Sequence, residues 1–408
     1  MKTKLLDKSE TTALAYNKHP RRNLGGCARR TALFGLISLL AAGAFGVLAG
    51  PLDVGGKKAL KVYQANAYVG GPIEAPLALD PTDPNYEMNL LVTVTTVFGQ
   101  ILAADPPARM TALADEIAAQ RPDVAALQEL YTIATAPNTP TGAGDYTVAY
   151  DYLGLLTNAL AAKGAHYQVV VVATESDVEV PMIASLQPFT LAWGRIIDHE
   201  AILVRTDLPP GYLQASNPQT GRFSIYPQVP LGGNIISIYR GWCSVDVFTR
   251  GERFRLICTH PHDESIPAIQ RAEVVELLAD LADVEMPVMI VGDLNSDPFN
   301  RNGTDSYSAF AEAGFKDTWA TLHPDDLAGG LTWGHDPALA DPGTEFVYRL
   351  DYVFYRGDRF APTAFEILDP RISLTTPPLW PSDHKAIVAT FFLGNPKSSN
   401  GKLPLRGQ

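Results

Sequence analysis

Residues 287–298 read Pro-Val-Met-Ile-Val-Gly-Asp-Leu-Asn-Ser-Asp-Pro. The run Pro287–Val291 is apolar without alternation, so it has no wet face and is expected as a strand covered on both sides. At Gly292 the character changes, and Asp293, Asn295, Ser296 and Asp297 follow. Asp293 and Asn295 are two positions apart, so both should point the same way off the strand end. One carboxylate and one amide so placed can grip a water, a phosphate oxygen or a hard cation. A strand buried on both faces needs a layer above and below it, which points to an α/β architecture.

The same pattern, an apolar run that ends in polar residues, recurs outward from this segment. Asp123–Leu127 ends in Gln128-Glu129, and the alternating stretch Ala59–Tyr68 contains Asn66. Arg253–Thr259 ends at His260. Asp351 opens the strand Asp351–Tyr355, and Ser382-Asp383-His384 precede the strand Ala386–Phe392. Further strands are expected at 169–174, 201–205, 235–238 and 244–248, and helices at 107–120, 149–163 and 270–281. Residues 71–88 and 207–232, rich in Pro, Gly or Asp, read as loops. Residues 90–104 fit helix or strand equally and read as core. Two stacked sheets with helices on their outer faces accommodate this order best.

Arg250-Gly251 separates two alternating runs and reads as a hairpin turn. Pairing Thr249 with Glu252 then sets Val247 opposite Phe254, Val245 opposite Leu256 and Cys243 opposite Cys258, with both thiols on the apolar face. This register allows a disulfide or two buried free thiols, the latter being the expectation. Cys27 is the third cysteine.

The chain has 408 residues, 46% of them hydrophobic, 19% charged, with a net charge of −12. This excludes a disordered chain and a multi-span membrane protein. Residues 1–50 carry eight Lys/Arg against Asp7 and Glu10, a surplus of +6 that leaves −18 on the rest. Arg29-Arg30 precede the uncharged run Thr31–Leu52. A basic segment followed by an apolar one is an export signal or an N-terminal anchor, here resembling the twin-arginine type. The expected organisation is therefore a leader over 1–52, one domain over 57–395 and a tail over 396–408. The destination is periplasmic or extracellular, or the membrane itself if the leader stays. An acidic body disfavours long polyanions such as nucleic acid.

The strand-end residues form one candidate set: Asn66, Glu129, His260, Asp293, Asn295, Asp351, Asp383 and His384. Two imidazoles and several oxygen donors without cysteine favour Mg²⁺ or Mn²⁺ over structural zinc. Such a set suits phosphate ester hydrolysis. The pieces QANAY, PDVAALQEL, ICTH, GDLN, RLDYVF and SDH, in this order across residues 60–393, resemble the endonuclease/exonuclease/phosphatase family. The spacing from Asn66 to Glu129 is long for that family, and Asn89 is the alternative first asparagine.

The resemblance implies a four-layer α/β sandwich of two packed mixed β-sheets flanked by helices, with the site at one edge. It implies Glu129 as the principal metal ligand, assisted by Asn66 and Asp383. Asp293 and Asn295 would hold the attacking water and a phosphate oxygen. His384, oriented by Asp351, would meet the scissile phosphate, and His260 would stabilise charge or protonate the leaving group. Either Asp293 or the His384–Asp351 pair could serve as general base. Arg240, His262, Trp333 and His335 are weaker candidates for contacts with substrate, and Asp198 reads as structural.

The expected function is an exported, monomeric phosphoesterase acting on a small or lipid-derived phosphodiester. The alternatives are an exported DNA or RNA endonuclease, and an inactive binding module of the same fold.

Overall fold

The computed structural model describes residues 59–231, 234–343, 345–372 and 379–394. The leader, the tail and Cys27 lie outside these residues. In chain order the helices are α1 (Tyr86–Ala103), α2 (Pro106–Gln120), α3 (Tyr152–Ala162), α4 (Pro267–Asp280), α5 (Ser306–Glu312) and α6 (Thr318–Leu322). The first eight strands are β1 (Ala59–Asn66), β2 (Val124–Gln128), β3 (Thr132–Thr139), β4 (Gly142–Ala143), β5 (Thr147–Asp151), β6 (Tyr167–Leu186), β7 (Phe189–Arg205) and β8 (Leu213–Arg222). Then come β9 (Gln228–Leu231), β10 (Asn234–Ser237), β11 (Gly241–Thr249), β12 (Glu252–Thr259), β13 (Val288–Asp293), β14 (Lys316–Asp317), β15 (Asp351–Arg356), β16 (Phe360–Leu368) and β17 (Ala386–Leu393).

Among the described residues, one sheet has nine strands in the order β16-β17-β1-β2-β7-β3-β4, with β5 on β3 and β6 on β7. A six-stranded sheet runs β14-β15-β13-β12-β11-β8, and β9-β10 form a separate hairpin. Both large sheets are mixed: β1 is parallel to β2 and β12 to β13, while β1–β17 and β13–β15 are antiparallel.

Side-chain parity explains the layers. In β1, Leu60 and Val62 enter the cluster between the sheets, while Tyr63 and Ala65 face α1, α2 and α3. In β13, Met289 and Val291 face the other sheet, while Val288 and Ile290 pack with α4 and α5. Helices, sheet, sheet and helices are the four layers expected. Val288–Val291 is buried on both faces because it lies mid-sheet between two such layers, while Pro287 precedes the strand and is partly exposed.

Several expectations need correction. Residues 207–232 are not all loop: they hold β8 and β9. Pro218 is tolerated because β8 is an edge strand, paired only to β11. The loop expected over 71–88 ends at Asn85, with a short 3-10 turn at Ala75–Ala78 and α1 starting at Tyr86. That resolves 90–104 as helix. The helix expected over 149–163 starts at Tyr152, with Asp151 as its N-cap, and residues before it pair as β5. The strands at 169–174 and 201–205 are parts of one long hairpin of 20 and 17 residues. The first strand stops at Asn66 rather than Tyr68, whose φ of 55° takes the chain out of the sheet. The β11–β12 register is as read, with Cys243 opposite Cys258, both buried and free. Among the described residues no single helix is long and apolar enough to cross a membrane.

Candidate active site

The face between the sheets turns polar at one edge. Inward positions along β1 are Leu60 and Val62, then Gln64 and Asn66; along β2 they are Val124 and Ala126, then Gln128. Along β12 they are Phe254, Leu256 and Cys258, with His260 next in parity; along β13, Met289 and Val291, then Asp293. In β15, running the other way, Tyr355 and Val353 give way to Asp351. A period of two in five strands thus delivers the polar residues to a common edge.

Asp293 stands at the centre. Its Oδ2 accepts from Asn66 Nδ2 at 3.0 Å and lies 3.4 Å from Nε2 of both His260 and His384. Burial alone would raise its pKa, but the two imidazoles, His384 foremost, hold it below the usual carboxylate range. Its Oδ1 accepts from the backbone N–H of Asn295 at 3.0 Å. Asn295 therefore reaches His260 through a turn with φ 48°, not by strand alternation. Gly292 is required here, because a Cβ would sit 2.0 Å from the Thr259 carbonyl oxygen on β12.

His384 Nδ1 lies 2.8 Å from Asp351 Oδ2, while Gln64 donates to Asp351 Oδ1 at 2.6 Å. Burial opposes charge on His384, but Asp351, Asp293 and Asp383 outweigh it and raise its pKa well above the ordinary value. On the other flank Arg240 donates to His260 Nδ1 at 3.0 Å and pairs with Asp198 at 2.6 Å. A guanidinium can only donate, so Nδ1 is the acceptor and the His260 proton sits on Nε2, facing Asp293. The Asn295 side-chain amide lies 3.1 Å from the same Nε2 and donates to the Pro261 carbonyl.

Glu129 follows β2 with φ 56°, a left-handed conformation that costs on the order of 1–3 kcal/mol outside glycine. Its carboxylate accepts from Asn66 Nδ2 at 2.9 Å and Val69 N at 3.1 Å. Asp383 is pushed up to about 6, by burial first, then by Glu129 and Asp293 against the pull of His384. Mutual repulsion among these carboxylates suits a hard divalent cation at Glu129 and Asp383; Asn66 would join them through Oδ1, which here accepts from Tyr68 N at 2.8 Å.

The weaker candidates part company. Arg240 and His262 line a cleft beside His260, and His262 Nδ1 meets the buried Glu273 at 2.7 Å. Trp333 does not line that cleft. Its backbone bridges His384 and Tyr348, and its ring stacks on Tyr348. His335 is a structural residue: its two nitrogens are taken by Asp341 and Asp369 at 3.0 Å each, and its ring stacks on Trp380. A His in a loop beside a Trp looks like a pocket residue until both carboxylates are seen.

Two contributors, Gln64 and Arg109, go unread in the sequence, and a third, Asp198, reads there as structural. Gln64 shares parity with Asn66, a signal available in the sequence. Asp198 anchors Arg240. Arg109, fully buried on α2, donates to the carbonyls of Ala67 and Tyr68 and, at 2.8 Å, of Pro381, tying the Asn66 loop to the Ser382–His384 loop. Nothing in the surrounding PPARM sequence announces it.

The sequence profile of the Endonuclease/Exonuclease/phosphatase family matches residues 97–384. The chain belongs to this family, whose members are metal-dependent hydrolases of phosphoester bonds. Similar solved structures include truncated Caenorhabditis elegans TDP2, at 16% identity over 82% of this chain and 97% of that one, with a TM-score of 0.45. Bacteroides thetaiotaomicron mannosyl-6-phosphatase Bt3783 matches at 16% identity over 81% and 98%, with a TM-score of 0.47. A family protein from Leptotrichia buccalis matches at 14% identity over 81% and 99%, with a TM-score of 0.47. No curated protein sequence matches the chain.

Proposed function

We propose that this protein is an exported, Mg²⁺-dependent phosphoesterase that hydrolyses a small or lipid-derived phosphodiester. The observation that carries the proposal is the convergence of Asn66, His260 and His384 on the single carboxylate of Asp293, with Glu129 hydrogen-bonded to the same asparagine. A cation held by Glu129, Asn66 and Asp383 would neutralise phosphate charge. Asp293 then positions the attacking water and receives its proton, while Asn295 donates to a phosphoryl oxygen. His384, kept cationic by Asp351, binds the phosphoryl group. His260 presents its Nε2 proton to the leaving oxygen, and Arg240 fixes that tautomer.

The charge of −18 outside the first 50 residues favours a substrate that is not a long polyanion. The basic, then apolar leader supports export. The test is hydrolysis of bis-p-nitrophenyl phosphate, sphingomyelin and plasmid DNA, each with Mg²⁺ and with EDTA, alongside cell fractionation. EDTA-sensitive cleavage of the small or lipid diester by an exported protein is expected. Cleavage of DNA alone would overturn the substrate assignment in favour of a nuclease. Activity that survives EDTA would overturn the metal.

A further inference from the structure

Between Asn66 and Glu129 the chain carries the 18-residue helix α1. This helix lies on the β6–β7 hairpin. The Phe98 ring occupies the space above Gly194, where a Cβ would meet it at 2.3 Å, and Thr95 accepts from Ile183 N at 2.8 Å. The β9–β10 hairpin faces α1 across a cleft of about 320 Å³. The cleft is walled by aliphatic and aromatic side chains, among them Val94, Phe98, Val178, Ile196, Ile236 and Ile238. Ligand pockets for drug-sized molecules start at about 300 Å³ and are mostly apolar with a few placed polar groups.

The rim of this cleft carries the acidic Glu74 and Asp263, and its polar end is anchored by Arg240. Asp198 pairs with it, and Ser176 Oγ bonds to the backbone of Tyr239 beside it. Arg240 is at once a wall of the cleft and the donor to His260 Nδ1 at 3.0 Å. A molecule whose phosphoryl group reaches His260 and Asp293 therefore has the cleft immediately next to it. An apolar cavity opening beside a charged site selects a substrate that is itself divided into an apolar and a charged part.

We propose that this cleft binds the alkyl chain of an amphiphilic phosphoester and so sets the substrate preference of the enzyme. The inference rests on the phosphoesterase assignment and extends it to the part of the substrate that does not react. Burying a methylene contributes about 0.8 kcal/mol, so each added carbon should raise kcat/KM about three- to fourfold until the cleft is full. Long alkyl chains bound this way need no basic surface, in keeping with the acidic body.

The test is a series of p-nitrophenyl alkyl phosphate diesters, from methyl through butyl and hexyl to decyl, on wild type, Ile236→Glu and Val178→Phe. Ile236 is half-buried on a surface hairpin, so its variant should fold. The wild-type slope should be steep. I236E should flatten it with the methyl ester turned over as before, and V178F should shorten the chain length at which it levels off. A flat wild-type series, or a slope untouched in both variants, overturns the proposal. A separate readout uses the fluorescent apolar probe N-phenyl-1-naphthylamine without metal. Binding displaced by decyl phosphate and lost in I236E supports the cleft even if no diester is cleaved, in which case the catalytic assignment alone fails. Absence of probe binding overturns the cleft directly.

Discussion

Replacing Asp351 with asparagine tests the support behind His384. Both carboxylate oxygens act as acceptors: Oδ1 takes the Gln64 bond at 2.6 Å, and Oδ2 faces His384 Nδ1 at 2.8 Å. An amide can serve only one of them. If it keeps Gln64, its N–H group meets the N–H on Nδ1, and a buried donor left against a donor costs about 1–3 kcal/mol. The imidazole escapes by carrying its proton on Nε2 alone, and then it has lost its positive charge. Loss of a positioned proton-transfer or charge-stabilising group lowers rates by about 10²–10⁴. D351N should therefore fold, with stability lower by about 1–3 kcal/mol, and lose about 10²–10⁴ in kcat. The assay is kcat on bis-p-nitrophenyl phosphate at saturating Mg²⁺, beside urea unfolding, for D351N, H384A and the double variant. If Asp351 works through His384, the double variant should be no slower than H384A. Losses that multiply, or near-wild-type turnover by folded D351N, would refute the coupling.

Other outcomes follow from the same geometry. Glu129→Gln should raise the Mg²⁺ concentration for half-maximal activity by roughly tenfold or more, equivalent to about 1.4 kcal/mol of binding, while its melting curve stays near wild type; an unchanged Mg²⁺ titration would remove Glu129 from the ligand set. Gly292→Ala should destabilise by about 3 kcal/mol or more, since its Cβ would meet a carbonyl 2.0 Å away and force β12 from β13; a thermal melt like that of the parent would contradict this contact. Burial raises the Glu116 carboxyl to about 7 despite its bond from Tyr63, so the folded state keeps this proton more tightly than the unfolded chain. Stability should fall as pH rises from 4.5 to about 7 and then level off. Glu116→Gln should match wild type near the acid end and exceed it by about 3 kcal/mol above neutral pH; a stability difference that does not vary with pH would argue against a buried, neutral Glu116. The Cys243 and Cys258 thiols, both fully buried, should react with a thiol reagent only at the rate of global unfolding; fast labelling of native protein would place them nearer the surface.

The five strands that carry the site were legible because each keeps a strict inward face until it turns polar. The series Leu60, Val62, Asn66 and Met289, Val291, Asp293 stand in the sequence itself, and the shared edge follows from their parity. The residues that could not be read act across long sequence separations. Arg109 is 272 positions from the Pro381 carbonyl it holds, and no local pattern distinguishes it from a surface arginine. His335 misled for the same reason, because Asp369 is 34 positions away and is brought near by the fold. The β8 strand was hidden by composition: an edge strand exposes most of its side chains, so its polar sequence with Pro218 mimics a loop.

The pairing of β1 with β17 has a practical side. Ala59 lies opposite Phe392, whereas Asn66, at the other end of β1, lies beside Gln128. At about 3.3 Å per residue, the eight-residue strand separates these two ends by about 25 Å. Among the described residues the outer ends of the first and last strands, Ala59 and Leu393, thus lie at one pole and the chemistry at the other. A bead, a tag or a fused protein attached through either pole-side end leaves the catalytic edge open to solution. The same adjacency makes the domain a candidate for circular permutation, with a short linker from Gly394 to Ala59 and new ends cut into an exposed turn such as Gly357-Asp358.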